Sequence, residues 1–145
     1  HVGGKVVIPT HEYIKKLNSA RLSSDVSGGP IISIARTDAM NAKLMTSDFD
    51  DRDSKYLSKN RTSDGYFLIE NNHEMAITKS LNYADYADVV WCETNTPDLG
   101  FAKEFADEIR KSHPNKILAD NKSETITRTG LTTFSPFFIA NRDPV

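Results

Sequence analysis

Short, unbroken apolar runs that end in polar residues constrain the fold of this chain most. Three of them stand out: 31–35, 89–92 and 116–119. A continuous apolar run, as opposed to an alternating one, is typical of a strand buried on both faces, as in a parallel sheet. Segments with helical spacing lie between these runs. The sequence therefore predicts an α/β fold in which parallel strands alternate with helices.

The remaining segments predict helices and one long loop. Apolar residues recur at helical spacing in 10–26, 75–83 and 98–112, and residues 39–45 are interpreted as a short helix. Thr10 is the expected N-cap of the first helix, and Gly28 ends it. Residues 46–72 are polar, which predicts a long loop with a functional or mobile role.

Composition excludes several classes of protein. The net charge of −2 over 145 residues gives no basic surface for nucleic acid. No apolar run approaches the roughly 20 residues of a membrane span. The single cysteine, Cys92, cannot form an internal disulfide, so an oxidising compartment is not indicated and a cytoplasmic location is expected. The length predicts one domain or part of a larger one, and a start at His1 without Met suggests a piece of a longer protein.

In parallel α/β folds the chemistry lies at the carboxyl ends of the strands. Arg36 follows the first run and offers a planar fork for a carboxylate or phosphate, or else a structural salt bridge with Asp38 or another acid. Glu93 follows the second run as a metal ligand or base, or else as a partner of Arg36. Asn121 and Ser123, after the third run, donate hydrogen bonds to an anion or form a turn.

Other reactive side chains are predicted to be structural or solvated. Cys92 is expected to be a buried core residue. Three histidines lie at no metal-ligand spacing and are expected on the surface: His11, His73 and His113. Four aspartates lack the glycine and closing glutamate of a Ca²⁺ loop and are expected in a solvated loop: Asp48, Asp50, Asp51 and Asp53.

Several motifs, in order and spacing, resemble those of isocitrate lyases of the bacterial type. They are 1–10 (HVGGKVVIPT), 34–39 (IARTDA), 44–48 (LMTSD), 61–67 (RTSDGYF), 83–94 (YADYADVVWCET) and 96–99 (TPDL). The resemblance runs over 1–121 and leaves 122–145 as an unmatched tail. It implies that 1–121 form the middle of a (β/α)₈ TIM-type barrel. It also implies a homotetrameric parent that uses Mg²⁺ to cleave isocitrate, by a retro-aldol step, to glyoxylate and succinate in the glyoxylate cycle.

The resemblance also assigns roles to individual residues. His1 is expected to bind substrate, Arg36 to clamp a carboxylate, and Glu93 to act as a catalytic residue near the metal. The family's later Asn-Cys-Ser-Pro-Ser run implies three more substrate-binding positions: Asn121, Ser123 and Thr125. Lys122 and Glu124 depart from that run.

Two essential parts of the family's machinery fall before His1 in the family pattern. These are the cysteine that exchanges a proton with the succinate carbanion and the main aspartate ligand of Mg²⁺. The 145-residue chain by itself is therefore expected to be inactive. The alternatives are a segment of a 2-methylisocitrate lyase or phosphonopyruvate-type enzyme, and a non-catalytic remnant or interaction module.

Overall fold

The computed structural model describes residues 4–96, 98–120 and 137–139. Within them lie the helices α1 (Thr10–Ser27), α2 (Asp51–Ser54), α3 (Asn72–Tyr83) and α4 (Leu99–Ser112). The strands are β1 (Val6–Val7), β2 (Ile34–Thr37), β3 (Leu44–Met45), β4 (Leu57–Arg61), β5 (Phe67–Ile69), β6 (Val89–Cys92), β7 (Ile117–Asp120) and β8 (Phe137–Ile139). None of the helices in this part of the chain is long and apolar enough to cross a membrane.

The central sheet has the order β2-β6-β7-β8. Its first three strands are parallel, while β8 pairs with β7 in the antiparallel sense. Helix α3 precedes β6 and α4 joins β6 to β7, so the chain advances through successive β-α-β crossovers. This confirms the predicted mixed α/β fold with parallel strands. The described strands form two sheets, so the (β/α)₈ barrel stays a prediction.

The second sheet, with the order β1-β3-β5-β4, corrects the prediction for 46–72. This stretch is not one long loop, because it contains α2 and an antiparallel hairpin of β4 and β5. The chain reverses at Gly65, where φ is 85°, and the Thr62 amide donates to the Tyr66 carbonyl at 2.8 Å. Burial of Leu57 and Phe67 then holds the hairpin against the rest of the protein.

The prediction of a short helix at 39–45 is also wrong. The amides of Asn41 and Ala42 both donate to the carbonyl of Asp38 at 3.0 Å, which forms a turn. The chain then enters β3, where Leu44 pairs with Leu68 of the hairpin. Pairing with a strand more than 20 residues away overrides the local helical pattern.

The core lies between the central sheet, the hairpin and helices α3 and α4. Its largest cluster includes Met45, Phe67, Met75, Val90, Cys92, Phe105, Ile109 and Leu118. A smaller cluster under α1 contains Ile14, Leu17, Ala35, Tyr83 and Ala87. Val89 and Val90 are both buried although they point to opposite faces, as a parallel strand covered on both sides requires. Cys92 is fully buried, which confirms its prediction as a core residue.

The ends of the helices depart slightly from their predicted positions. Helix α1 begins at Thr10 with Pro9 as its N-cap, so Thr10 is the first helical residue and not the cap. It ends at Ser27, and Gly28 follows as its C-cap, where φ of 69° gives the left-handed conformation that glycine adopts at low cost. Asp98 caps α4 by accepting a hydrogen bond from the Phe101 amide at 3.1 Å.

Candidate functional site

Two neighbouring parallel strands bring the predicted strand-end residues together. Arg36 of β2 is in register with Trp91 of β6, and Glu93 directly follows β6. The Glu93 amide continues the ladder by donating to the Thr37 carbonyl at 2.9 Å. As a result, Nη2 of Arg36 lies 3.2 Å from Oε2 of Glu93. The juxtaposition expected from a parallel sheet is therefore present in the structure.

The guanidinium of Arg36 is held from three sides. Besides Glu93, its Nη2 contacts Oδ2 of Asp38 at 3.1 Å, and its Cζ lies 5.0 Å from the centre of the Trp91 ring. Both ion pairs use the same nitrogen, so neither of them engages Nε or Nη1. The side chain as a whole is 41% exposed to solvent. Nε and Nη1 can each donate a charge-assisted hydrogen bond to an anion.

Glu93 and Asp38 differ in their surroundings. The Glu93 side chain is only 5% exposed, and Nδ2 of Asn41 fixes its backbone by donating to the carbonyl at 2.9 Å. Asp38 uses its second oxygen, Oδ1, to bind Nζ of Lys5 at 2.5 Å. A continuous line of charged groups, Lys5–Asp38–Arg36–Glu93, therefore crosses this strand end. Sequence reasoning identified Asp38 as a possible partner of Arg36 but missed Lys5.

The other predicted substrate-binding residues are His1, Asn121, Ser123 and Thr125. They fall in 1–3 and 121–136, outside the described residues. Their convergence with Arg36 and Glu93 stays a prediction.

The described residues do not build a magnesium site by themselves. No group of three or more histidine, cysteine, aspartate or glutamate side chains within 4–96, 98–120 and 137–139 is arranged to hold a metal ion. At the strand end, the carboxylates of Asp38 and Glu93 are both engaged by Arg36.

The acidic cluster of the hairpin region (residues 46–72) is only in part the solvated loop that was predicted, because Asp48 and Asp51 are exposed whereas Asp50 and Asp53 are buried. Asp53 is fully buried and accepts hydrogen bonds from the backbone amide of Thr10 at 2.6 Å and its Oγ1 at 2.8 Å. Asp50 is also buried and accepts from the amide of His11 at 2.7 Å. The two carboxylates thus satisfy the first free amides of α1, which Pro9 cannot cap with a side-chain hydrogen bond.

Cations compensate both buried carboxylates. Lys79 of α3 lies 3.1 Å from Oδ1 of Asp53. Arg52 grips Asp50 through Nε at 2.8 Å and Nη2 at 2.7 Å. The Arg52 hydrogen bonds, aided by backbone amides and opposed by burial, hold the pKa of Asp50 well below its usual range. Burial lowers the pKa of Lys79, and the charge of Asp53 opposes that shift.

The three histidines are partly exposed, and each has a carboxylate partner. His11 faces Asp50 at 3.3 Å, His73 faces Glu104 at 3.0 Å, and His113 faces Asp85 at 2.8 Å. These pairs are isolated from one another and bridge neighbouring elements of the fold.

The fold and the strand-end site define a mixed α/β protein whose charged residues gather at the carboxyl ends of neighbouring parallel strands. The sequence model of the isocitrate lyase family matches residues 1–60 and 56–130. The chain belongs to the isocitrate lyase family.

Relatives named isocitrate lyase are similar over most of this chain. The Escherichia coli K12 protein is 52% identical over 123 residues, which is 85% of this chain and 28% of that protein. The Salmonella typhimurium protein is 53% identical and the Corynebacterium glutamicum protein 49% identical, with the same coverage. The chain thus spans about 28% of the length of these relatives.

Proposed function

We propose that this chain is part of an isocitrate lyase that cleaves isocitrate to glyoxylate and succinate. The observation that carries the proposal is the pairing of Arg36 with Glu93 at the ends of β2 and β6, at positions that resemble the family's motifs. Isocitrate is a tricarboxylate, and a partly exposed guanidinium suits one of its carboxylates.

In the proposed reaction a base removes the proton from the substrate hydroxyl, and the C2–C3 bond then breaks. One fragment leaves as glyoxylate, and the other, a succinate carbanion, takes a proton from a cysteine outside this chain. Arg36 binds a carboxylate of the glyoxylate half and keeps it oriented as negative charge develops. Glu93, buried beside it, is the proposed catalytic residue of this chain, and Arg36 is its neighbouring cation.

Several features of the parent protein belong to the same proposal. Mg²⁺ would act as a Lewis acid on the glyoxylate half, with its main protein ligand outside this chain. His1, Asn121, Ser123 and Thr125 would contact the substrate. Strands β2, β6 and β7 would be successive strands of a (β/α)₈ barrel in a cytoplasmic homotetramer. No nucleic-acid or membrane partner is proposed.

The test is an Arg36→Ala substitution in the full-length protein. We expect kcat/KM for isocitrate to fall by roughly 10²-fold or more, because a charge that stabilises the transition state is lost. Arg21→Ala is the matched control: Arg21 lies on α1, is 38% exposed and pairs with Asp88 at 2.6 Å. Near-normal cleavage by the Arg36→Ala protein would refute the proposal.

A second assay separates the proposed substrate from its closest rival. The full-length protein is given isocitrate and 2-methylisocitrate under steady-state conditions, and kcat/KM is compared. We expect isocitrate to be preferred. A preference for 2-methylisocitrate would assign the chain to a 2-methylisocitrate lyase instead.

A further inference from the structure

The Asp38 carboxylate bridges two cations at the strand end. Its Oδ2 lies 3.1 Å from Nη2 of Arg36, and its Oδ1 lies 2.5 Å from Nζ of Lys5. Lys5 and Asp38 are only 22% and 26% exposed, so water screens their interaction less than it would on an open surface. Lys5 precedes β1, whereas Asp38 follows β2, so the contact joins two separate strands.

The charges around Arg36 pose a problem for anion binding. Asp38 and Glu93, as carboxylates, place two negative charges against the one positive charge of Arg36. A substrate carboxylate that approaches Nε or Nη1 of Arg36 would therefore meet a net negative site. The ammonium of Lys5 offsets the charge of Asp38 and brings the sum over the four groups to zero.

We propose that Lys5 is a positioning residue that supports anion binding by Arg36 through Asp38. Lys5 neutralises Asp38 and fixes its carboxylate, which in turn fixes Nη2 of Arg36 and leaves Nε and Nη1 to donate to the substrate. The inference rests on the proposed function, because it takes the substrate carboxylate as the anion. It assigns Lys5 no contact with the substrate.

The experiment is a double-mutant cycle in the full-length protein with Lys5→Met, Asp38→Asn and the combined variant. The readouts are the inhibition constant of glyoxylate, together with KM and kcat for isocitrate. Lys5→Met is expected to weaken glyoxylate binding roughly three- to tenfold, as for a partly screened ion pair. In the Asp38→Asn background the same Lys5→Met change is expected to have an effect of about twofold or less.

Separate variants serve as controls for the charge of Lys5 and for the folding of the protein. Lys5→Arg keeps the positive charge and is expected to stay within about twofold of the wild type. Lys16→Met removes a lysine that pairs with Glu12 at 3.4 Å on the exposed side of α1, and it is expected to change nothing. If Lys5→Met lowers the amount of folded protein, Lys5→Gln and Lys5→Arg are compared in its place, because their difference still isolates the charge.

Two outcomes would overturn the inference. Equal glyoxylate affinity in Lys5→Met and wild type would show that Lys5 does not support the site. An unchanged effect of Lys5→Met in the Asp38→Asn background would show that Lys5 acts directly on the substrate and not through Asp38. Failure of the proposed function is distinct, because the wild-type protein would then neither cleave isocitrate nor bind glyoxylate.

Discussion

Nζ of Lys79 lies 3.1 Å from Oδ1 of Asp53, and the two side chains are 1% and 0% exposed. The ammonium also donates to the Ile8 carbonyl at 3.0 Å and to Oγ1 of Thr10 at 3.1 Å, so each of its three protons has an acceptor. The pair therefore joins α3 to α2 and to the start of α1. It anchors the hairpin region to the central α/β unit from inside the protein.

Lys79→Met tests this anchor. The variant leaves the buried Asp53 carboxylate without its cation, and we expect the free energy of unfolding to fall by about 3–5 kcal/mol. Urea unfolding of the 145-residue chain, followed by the fluorescence of its single tryptophan, Trp91, measures the change in the free energy of unfolding. Lys103→Met on the exposed face of α4 is the matched control. Equal stability of the two variants would show that the ion pair does not anchor the hairpin region.

Asp50 predicts a dependence of stability on acid pH. Its pKa is lower in the folded protein than in the unfolded chain, chiefly because Arg52 binds the carboxylate. The resulting stabilisation is fully present above the unfolded value, near pH 4, and is lost as the pH falls towards the folded value. We expect Asp50→Asn to be less stable than the wild type at neutral pH and to lose less stability below about pH 4.

The control for this pH dependence is Asp51→Asn, because Asp51 is the first residue of α2, directly after its N-cap Asp50, but is exposed. Melting temperatures are measured from neutral pH down to about pH 2.5. Some acid dependence is expected to remain in Asp50→Asn, because the Ser33 amide and Arg21 also lower the pKa of Asp88. Parallel curves for wild type and Asp50→Asn would contradict the prediction.

Sequence reasoning found the helices and strands whose residues show a pattern over a short stretch of the chain. The apolar run 89–92 and the helical pattern 98–112 depend on neighbours along the chain, and both appear within a residue of their predicted limits. The hairpin region was missed because its buried residues include charged ones. Asp53 appears hydrophilic in sequence, and its partners Thr10 and Lys79 lie 43 and 26 residues away.

The candidate site was likewise predicted only in part. Arg36 and Glu93 follow apolar runs, and the register of neighbouring parallel strands brings such residues together, so their contact could be predicted. Lys5 could not, because it reaches Asp38 across 33 residues and belongs to no periodic pattern. Its importance depends on the positions of two strands that lie in different sheets.

The 145-residue chain expressed by itself is expected not to cleave isocitrate. It covers 28% of the length of the E. coli relative and holds one part of the proposed catalytic machinery. Loss of an acid–base group and of metal ligands each costs orders of magnitude in rate. Glyoxylate release is measured with the full-length protein as the positive control. Turnover by the chain alone near a typical value of about 10 s⁻¹ would show that its site is sufficient.

The same isolated chain is expected to self-associate through one apolar edge. Strand β2 is an outer strand of the central sheet, and Ile32 beside it is 77% exposed. On α1, Leu22 and Val26 are 63% and 80% exposed. Exposed apolar side chains and an outer strand are each features that invite pairing with another chain.

Ile32→Lys is expected to reduce this association, because a charge beside the edge opposes burial of the apolar surface and strand pairing. Leu99→Lys makes the same chemical change at another exposed position, 51% exposed at the start of α4, and is expected to leave association unchanged. Light scattering over a range of concentrations gives the molar mass, and thermal melting reports cooperativity. A monodisperse wild-type monomer with a sharp, reversible transition would show that this edge needs no partner.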